Sequence, residues 1–93
     1  MYGTVARMRV KPENRPALRS VVEAQSQAAI AGMITTYVLW ENESDVAWLF
    51  AVFDDRDAYY RNADDPAQHA RYLEVRALLE DDPAWHDGEI EQA

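Results

Sequence analysis

Two side chains in the C-terminal third have the types and spacing that proton chemistry needs. His69 and Tyr72 lie three residues apart in a segment of helical periodicity, so they share a face. An imidazole takes or gives a proton near neutral pH, and a phenol hydroxyl one turn on can donate to the same substrate oxygen. The pair would supply a base and a hydrogen-bond donor for a developing phenolate. Tyr37, Trp40, Trp48, Tyr59 and Tyr60 could line an aromatic pocket beside it, or serve as core and contact residues, the commoner role of strand aromatics. Arg7 and Arg9 could hold an acidic or phenolate ligand. At same-face spacing they could equally pair across a sheet with Glu89 and Glu91. The alternative for His69 is an exposed position near a helix N-terminus, bonded to Asp65 or water.

Other chemistries lack their residues. His69 and His86 are the only histidines, 17 positions apart, with no carboxylate at ligand spacing on a shared helix face, so no metal site is expected. Without cysteine there is no disulfide, thiolate metal site or c-type haem attachment. No glycine-rich phosphate loop or serine nucleophile elbow occurs. Nine basic against 17 acidic residues give a net charge of −8, which disfavours nucleic acid and anionic membrane surfaces. Met1 leads directly into a strand-like segment with no signal-peptide pattern or long apolar run, so a cytoplasmic location is expected.

The elements that must position these residues are readable. The 93 residues suffice for one domain, residues 1–93, with no repeat and no linker. From Tyr2 to Val10 the chain alternates, with Ala6, Met8 and Val10 on one face and Val5, Arg7 and Arg9 on the other, as in a strand. Pro16 suits a first helical turn, and Leu18, Val21, Val22 and Gln25 recur at helical spacing, predicting a helix over 14–28. Gly32 breaks it. Strands are expected over 33–40 and 46–53, joined by a polar loop, then a short helix capped by Asp54 or Asp55 and carrying Tyr59 and Tyr60. Asp65-Pro66-Ala67-Gln68 has the residues of an N-cap, first turn and capping box for a helix running to about Glu80. Glu80, Asp81 and Asp82 read as its solvated end, and 85–91 as a last strand. The order is that of the ferredoxin-like βαββαβ fold, an α+β antiparallel four-stranded sheet with helices on one face.

The second sheet face is not polar. In strand two Ile34, Val38 and Trp40 oppose Met33, Tyr37 and Leu39; in strand three Val46, Trp48, Phe50 and Val52 oppose Ala47, Leu49, Ala51 and Phe53. A sheet apolar on both faces needs two covers, and the chain has helices for only one. A second copy would supply the other, predicting a homodimer through the sheet face.

The opening strand ends in Lys11-Pro12, Ala31-Gly32-Met33 leads into strand two, Val52-Phe53-Asp54-Asp55 closes strand three, and His69 lies in the last helix. In these features, and over nearly its whole length, the chain resembles the antibiotic biosynthesis monooxygenase-like domain of the dimeric α/β barrel superfamily. Ala31 and Met33 depart from the Pro and aromatic residue usual at the entry to strand two, and Phe53 stands where a Trp is usual. The resemblance implies oxygenation of a small aromatic or polyketide-like molecule without a cofactor. It leaves two alternatives, a non-catalytic ligand-binding or structural homodimer and a haem-binding protein. Haem degradation in the superfamily uses a strand-one Asn, a Trp before the last helix, and the helical His. Here Ala6 or Arg7 and Tyr59 or Tyr60 take the first two places, which disfavours haem.

Overall fold

Alternation along the first strand sets the architecture. The computed structural model describes residues 1–93, and in it Thr4, Ala6, Met8 and Val10 are buried while Arg7 between them is exposed. This strand, β1 (Tyr2–Arg9), is central. It is followed by a 3-10 turn (Pro12–Asn14), α1 (Arg15–Ser26), β2 (Met33–Trp40), β3 (Val46–Phe53), α2 (Arg56–Ala63), α3 (Pro66–Arg76) and β4 (Ala84–Glu89). The four strands form one sheet in the order β2-β3-β1-β4, all neighbours antiparallel. This is the ferredoxin-like α+β topology, with the extra short helix α2.

The helices cover the β1 face that carries Ala6 and Met8. Leu18 from α1, Val75 from α3 and Leu79 beyond it pack on Met8, Val10 and Ala47, with Val21, Val22, Val38, Trp40 and Leu49 around them. This core sits at one end of the sheet, where β1 ends and β3 begins. Two aspartates start the later helices: Asp55 accepts from the Ala58 N–H at 2.8 Å, and Asp65 from the Ala67 N–H at 2.9 Å. The capping box is only half formed, because the Gln68 side chain accepts from Arg71 Nε instead of reaching back.

Three expectations need correction. The last helix stops at Arg76, four residues early, because Leu79 forms a β-bridge with Val10 and the Glu80 N–H donates to the Arg9 carbonyl at 2.9 Å. The acidic run therefore lies past the helix end, where Arg9 contacts Glu80 at 2.8 Å and Asp81 at 3.0 Å, and Arg76 contacts Asp82 at 2.8 Å. Arg9 accordingly does not pair with Glu89 or Glu91, and Arg7 lies opposite Ala84. The faces at the start of β2 are also exchanged. The register slips between Met33 and Thr35, so Ile34 is an extra residue opposite β3. This bulge turns Met33 toward the helices, beside Phe53, and leaves Ile34 with Tyr37 and Leu39 on the outer face.

That outer face is apolar and uncovered. Tyr37 is 66% exposed, Ile34 and Leu39 each 50%. Register places Trp48 and Phe50 beside Leu39 and Tyr37, with Val5 next to Phe50 and Arg7 next to Trp48.

Gly3 and Gly88 are cross-strand partners with opposite tolerances. A Cβ on Gly3 would overlap the Ala51 carbonyl oxygen, whereas nothing lies within 4 Å of one on Gly88. Gly3→Ala should therefore lower stability by about 1–3 kcal/mol through overpacking. Gly88→Ala should change it by less than about 0.5 kcal/mol, both read from urea denaturation midpoints. Equal effects would refute the β1–β3 packing described.

Candidate functional site

Away from the packed core the helices and sheet part, leaving a half-open cavity of about 350 Å³. That is the lower end of the range for small-molecule sites. Its floor is the helix-facing side of the sheet: Thr4 and Met8 from β1, Met33 and Thr36 from β2, and Leu49, Ala51 and Phe53 from β3. Thr36 faces inward only because the β2 bulge resets the alternation after Ile34.

Side chains from all three helices wall it. From α3 come Gln68, His69, Arg71, Tyr72 and Val75; from α2, Tyr59 and Asn62; from α1, Val22 and Gln25. Hydrogen bonds tie these helices together. Gln25 Nε2 donates to the Arg71 carbonyl at 2.9 Å, joining α1 to α3, and Arg71 Nη2 donates to Asn62 Oδ1 at 3.3 Å, joining α3 to α2. The Tyr59 hydroxyl donates to Asp87 Oδ1 at 2.9 Å, joining α2 to β4.

His69 and Tyr72 come together on this wall, their rings roughly parallel with centroids 6.3 Å apart. Trp85 continues the aromatic series, 6.1 Å from Tyr72. The Asp65 carboxylate is engaged by the Ala67 N–H, and no protein group bonds the His69 ring or the Tyr72 hydroxyl. Both are available to a ligand.

The other expected pocket residues divide. Tyr59 lines the cavity, half-buried and edge-on to Phe53 at 5.5 Å. Tyr60 turns to the rim, where it meets the Tyr2 hydroxyl at 3.2 Å and lies under the Arg56 guanidinium. Trp40 packs against the core beneath Arg15 and Arg19. Arg7, Tyr37 and Trp48 stand on the opposite face of the sheet and cannot reach the cavity, because alternation sends them away from Ala6, Thr36 and Leu49. The sequence reading missed Arg71, Asn62, Gln25 and Trp85. One signal was available: Gln68 and Arg71 at i, i+3 on His69's helix form the side-chain bond such spacing permits.

No three His, Cys, Asp or Glu side chains converge to hold a metal ion. Haem degradation does not fit the residues present. The helix-facing positions of β1 are Thr4, Ala6 and Met8, which offer no side-chain amide, and Tyr59 and Tyr60 replace the expected indole.

A four-stranded sheet in this order, three helices on one face and a cavity between them form the fold of the antibiotic biosynthesis monooxygenase-like domains. SnoaB, a cofactor-independent oxygenase from Streptomyces nogalater, is 25% identical with a TM-score of 0.78, over 99% of this chain and 94% of that one. Rv0793 from Mycobacterium tuberculosis is 21% identical with a TM-score of 0.80, over 99% and 97%. A third solved structure, an antibiotic biosynthesis monooxygenase, is 15% identical with a TM-score of 0.72, over 99% and 100%. No family model matches the chain, and no curated protein does.

Tyr59 offers a test of this geometry. Burial first, and the Asp87 carboxylate it bonds second, hold its hydroxyl well above the ordinary phenol value of 10.0. In the unfolded chain the group ionises near pH 10, while the folded form keeps its proton. Its stabilising contribution is therefore complete below about pH 10 and lost as the pH rises further. Thermal melts from pH 9 to 11.5 should show wild type losing stability more steeply than Tyr59→Phe. Parallel curves would mean that Tyr59 is not buried against Asp87.

Proposed function

We propose that the chain binds a small aromatic or polyketide-like molecule in this cavity and oxygenates it without a bound cofactor, as a homodimer joined through the outer sheet face. The observation that carries the reading is the placement of His69 and Tyr72, both free of protein hydrogen bonds, on the wall of a largely apolar cavity. The fold shared with SnoaB, described as a cofactor-independent oxygenase, supports it.

The chemistry asked of the residues is modest. A phenol or enolisable carbonyl is deprotonated by the His69 imidazole, and Tyr72 donates a hydrogen bond to the oxygen that gains charge. The carbanion form adds dioxygen, and the resulting hydroperoxide loses water to leave a new carbonyl. One oxygen atom thus enters the product and the other leaves as water. The apolar floor keeps bulk water from the carbanion.

A binding module without turnover is the second reading. It is favoured by the absence of any side chain orienting the His69 ring, since a general base commonly has its second nitrogen fixed.

With oxygen uptake on polycyclic phenols such as 1-naphthol as the assay, His69→Ala and Tyr72→Phe should each lower turnover by about 10²- to 10⁴-fold. Stability should stay within ~1 kcal/mol of wild type. Loss of stability in both, with no phenol or quinone retained, would leave only the structural dimer.

The dimer has its own test. The outer apolar face should bury well over the ~1,600 Å² of a standard interface, giving a dimer in sedimentation at tens of micromolar. Leu39→Asp or Trp48→Asp should unfold the chain rather than release a soluble monomer. A folded wild-type monomer at that concentration would overturn the assembly.

A further inference from the structure

The cavity wall carries one permanent charge, and it is positive. Arg71 is the only Lys or Arg lining the cavity, and no Asp or Glu lines it, although the chain has 17 acidic residues against 9 basic. The other arginines are either matched or fully on the surface. Arg9 meets three carboxylates and Arg76 one; Arg15, Arg19 and Arg56 lie over the Trp40 and Tyr60 rings. Arg7, Arg61 and Lys11 are exposed.

Arg71 differs from all of these. It is half-buried against the cavity, with neither a carboxylate within ion-pair distance nor an aromatic ring beneath it. Two neutral amides hold it instead: Nε donates to Gln68 Oε1 at 3.0 Å, and Nη2 to Asn62 Oδ1 at 3.3 Å. Its carbonyl is held in turn by Gln25. Two amide oxygens fix the plane of a guanidinium without cancelling its charge, and they leave three of its five N–H donors unengaged. A planar, fixed donor fork is suited to a carboxylate, which it meets with two parallel hydrogen bonds. A half-buried cation is also costly until a counter-charge arrives.

The geometry points to an organic anion as the ligand of this cavity: an aromatic carboxylate whose ring lies on the apolar floor and whose carboxylate meets Arg71. This rests on the reading of the cavity as a ligand site and narrows the class of molecule it takes. Arg71 supplies the local attraction that an anion needs to enter a chain whose net charge of −8 otherwise disfavours it.

The test uses two isosteric probes, 2-naphthoate and its neutral amide 2-naphthamide, titrated calorimetrically at low ionic strength. Wild type should bind the carboxylate at least tenfold more tightly than the amide. Arg71→Gln should abolish that preference while leaving amide affinity within about twofold, and Arg71→Lys should retain part of it. A preference that persists in Arg71→Gln, or an amide bound as tightly as the carboxylate by wild type, would overturn the anion inference and leave the cavity a ligand site. Binding of neither probe at millimolar concentration would overturn the ligand-site reading itself. Should Arg71→Gln not fold, the wild-type ratio and the Arg71→Lys variant decide.

Discussion

The packing of Leu18, Val75 and Leu79 onto Met8, Val10 and Ala47 is the constraint from which the rest follows. It pins the two long helices to one end of the sheet. Met8 and Val75 of this core form one end of the cavity, which opens between the helices and the sheet beyond them. The cavity is therefore a product of where the core sits. Helix α2 closes part of the opening, with Tyr59 anchored to Asp87 and Ala58 packed beneath Gly32, whose φ of 79° lets the chain turn tightly into β2.

The same placement sorts polar groups from apolar ones. The floor is built from strand residues whose alternation was selected for burial, so it is apolar. The wall is built from helix residues between the core and the exposed margin where His69 lies, and there the amides, imidazole, phenol and guanidinium collect. Arg71, Gln68 and Asn62 illustrate the result: each is held by a neighbour on the wall, so the wall is organised before any ligand arrives.

Much of this was legible in the sequence, for reasons that can be given residue by residue. Strands β2 and β3 begin and end where periodicity and turn residues place them, because their alternation is long and their flanks are polar. Asp65-Pro66 marks the start of α3, since cap and first-turn chemistry are local. What the sequence concealed depends on distant partners. The bulge at Ile34 requires the register of β3, and it reverses the apparent faces of Met33 and Ile34. The early end of α3 requires Val10, and the pairing of the acidic run requires Arg9. Of the candidate site, His69, Tyr72 and Tyr59 share the cavity, but Arg7, Tyr37 and Trp48 could be assigned to the far face only once the strand order was known. The i, i+3 spacing marked the bond of Arg71 to Gln68, but not its lack of a carboxylate, because an unpaired arginine is recognised by what does not surround it.

The central position of β1 has a consequence for how the molecule forms. Its two neighbours, β3 and β4, lie far along the chain, and its pairing with β4 joins Tyr2 to Glu89. Closing loops of that length before any reward from pairing makes folding slow relative to helical proteins of equal size. On the ribosome β1 emerges before both of its partners, and its edge toward β4 is satisfied last. Its unpaired edge and apolar residues stay accessible through most of synthesis, a period in which strand edges invite association with other chains. Docking of β4 closes that edge of β1, whereas the outer edges of β2 and β4 and the apolar outer face stay open in the folded chain.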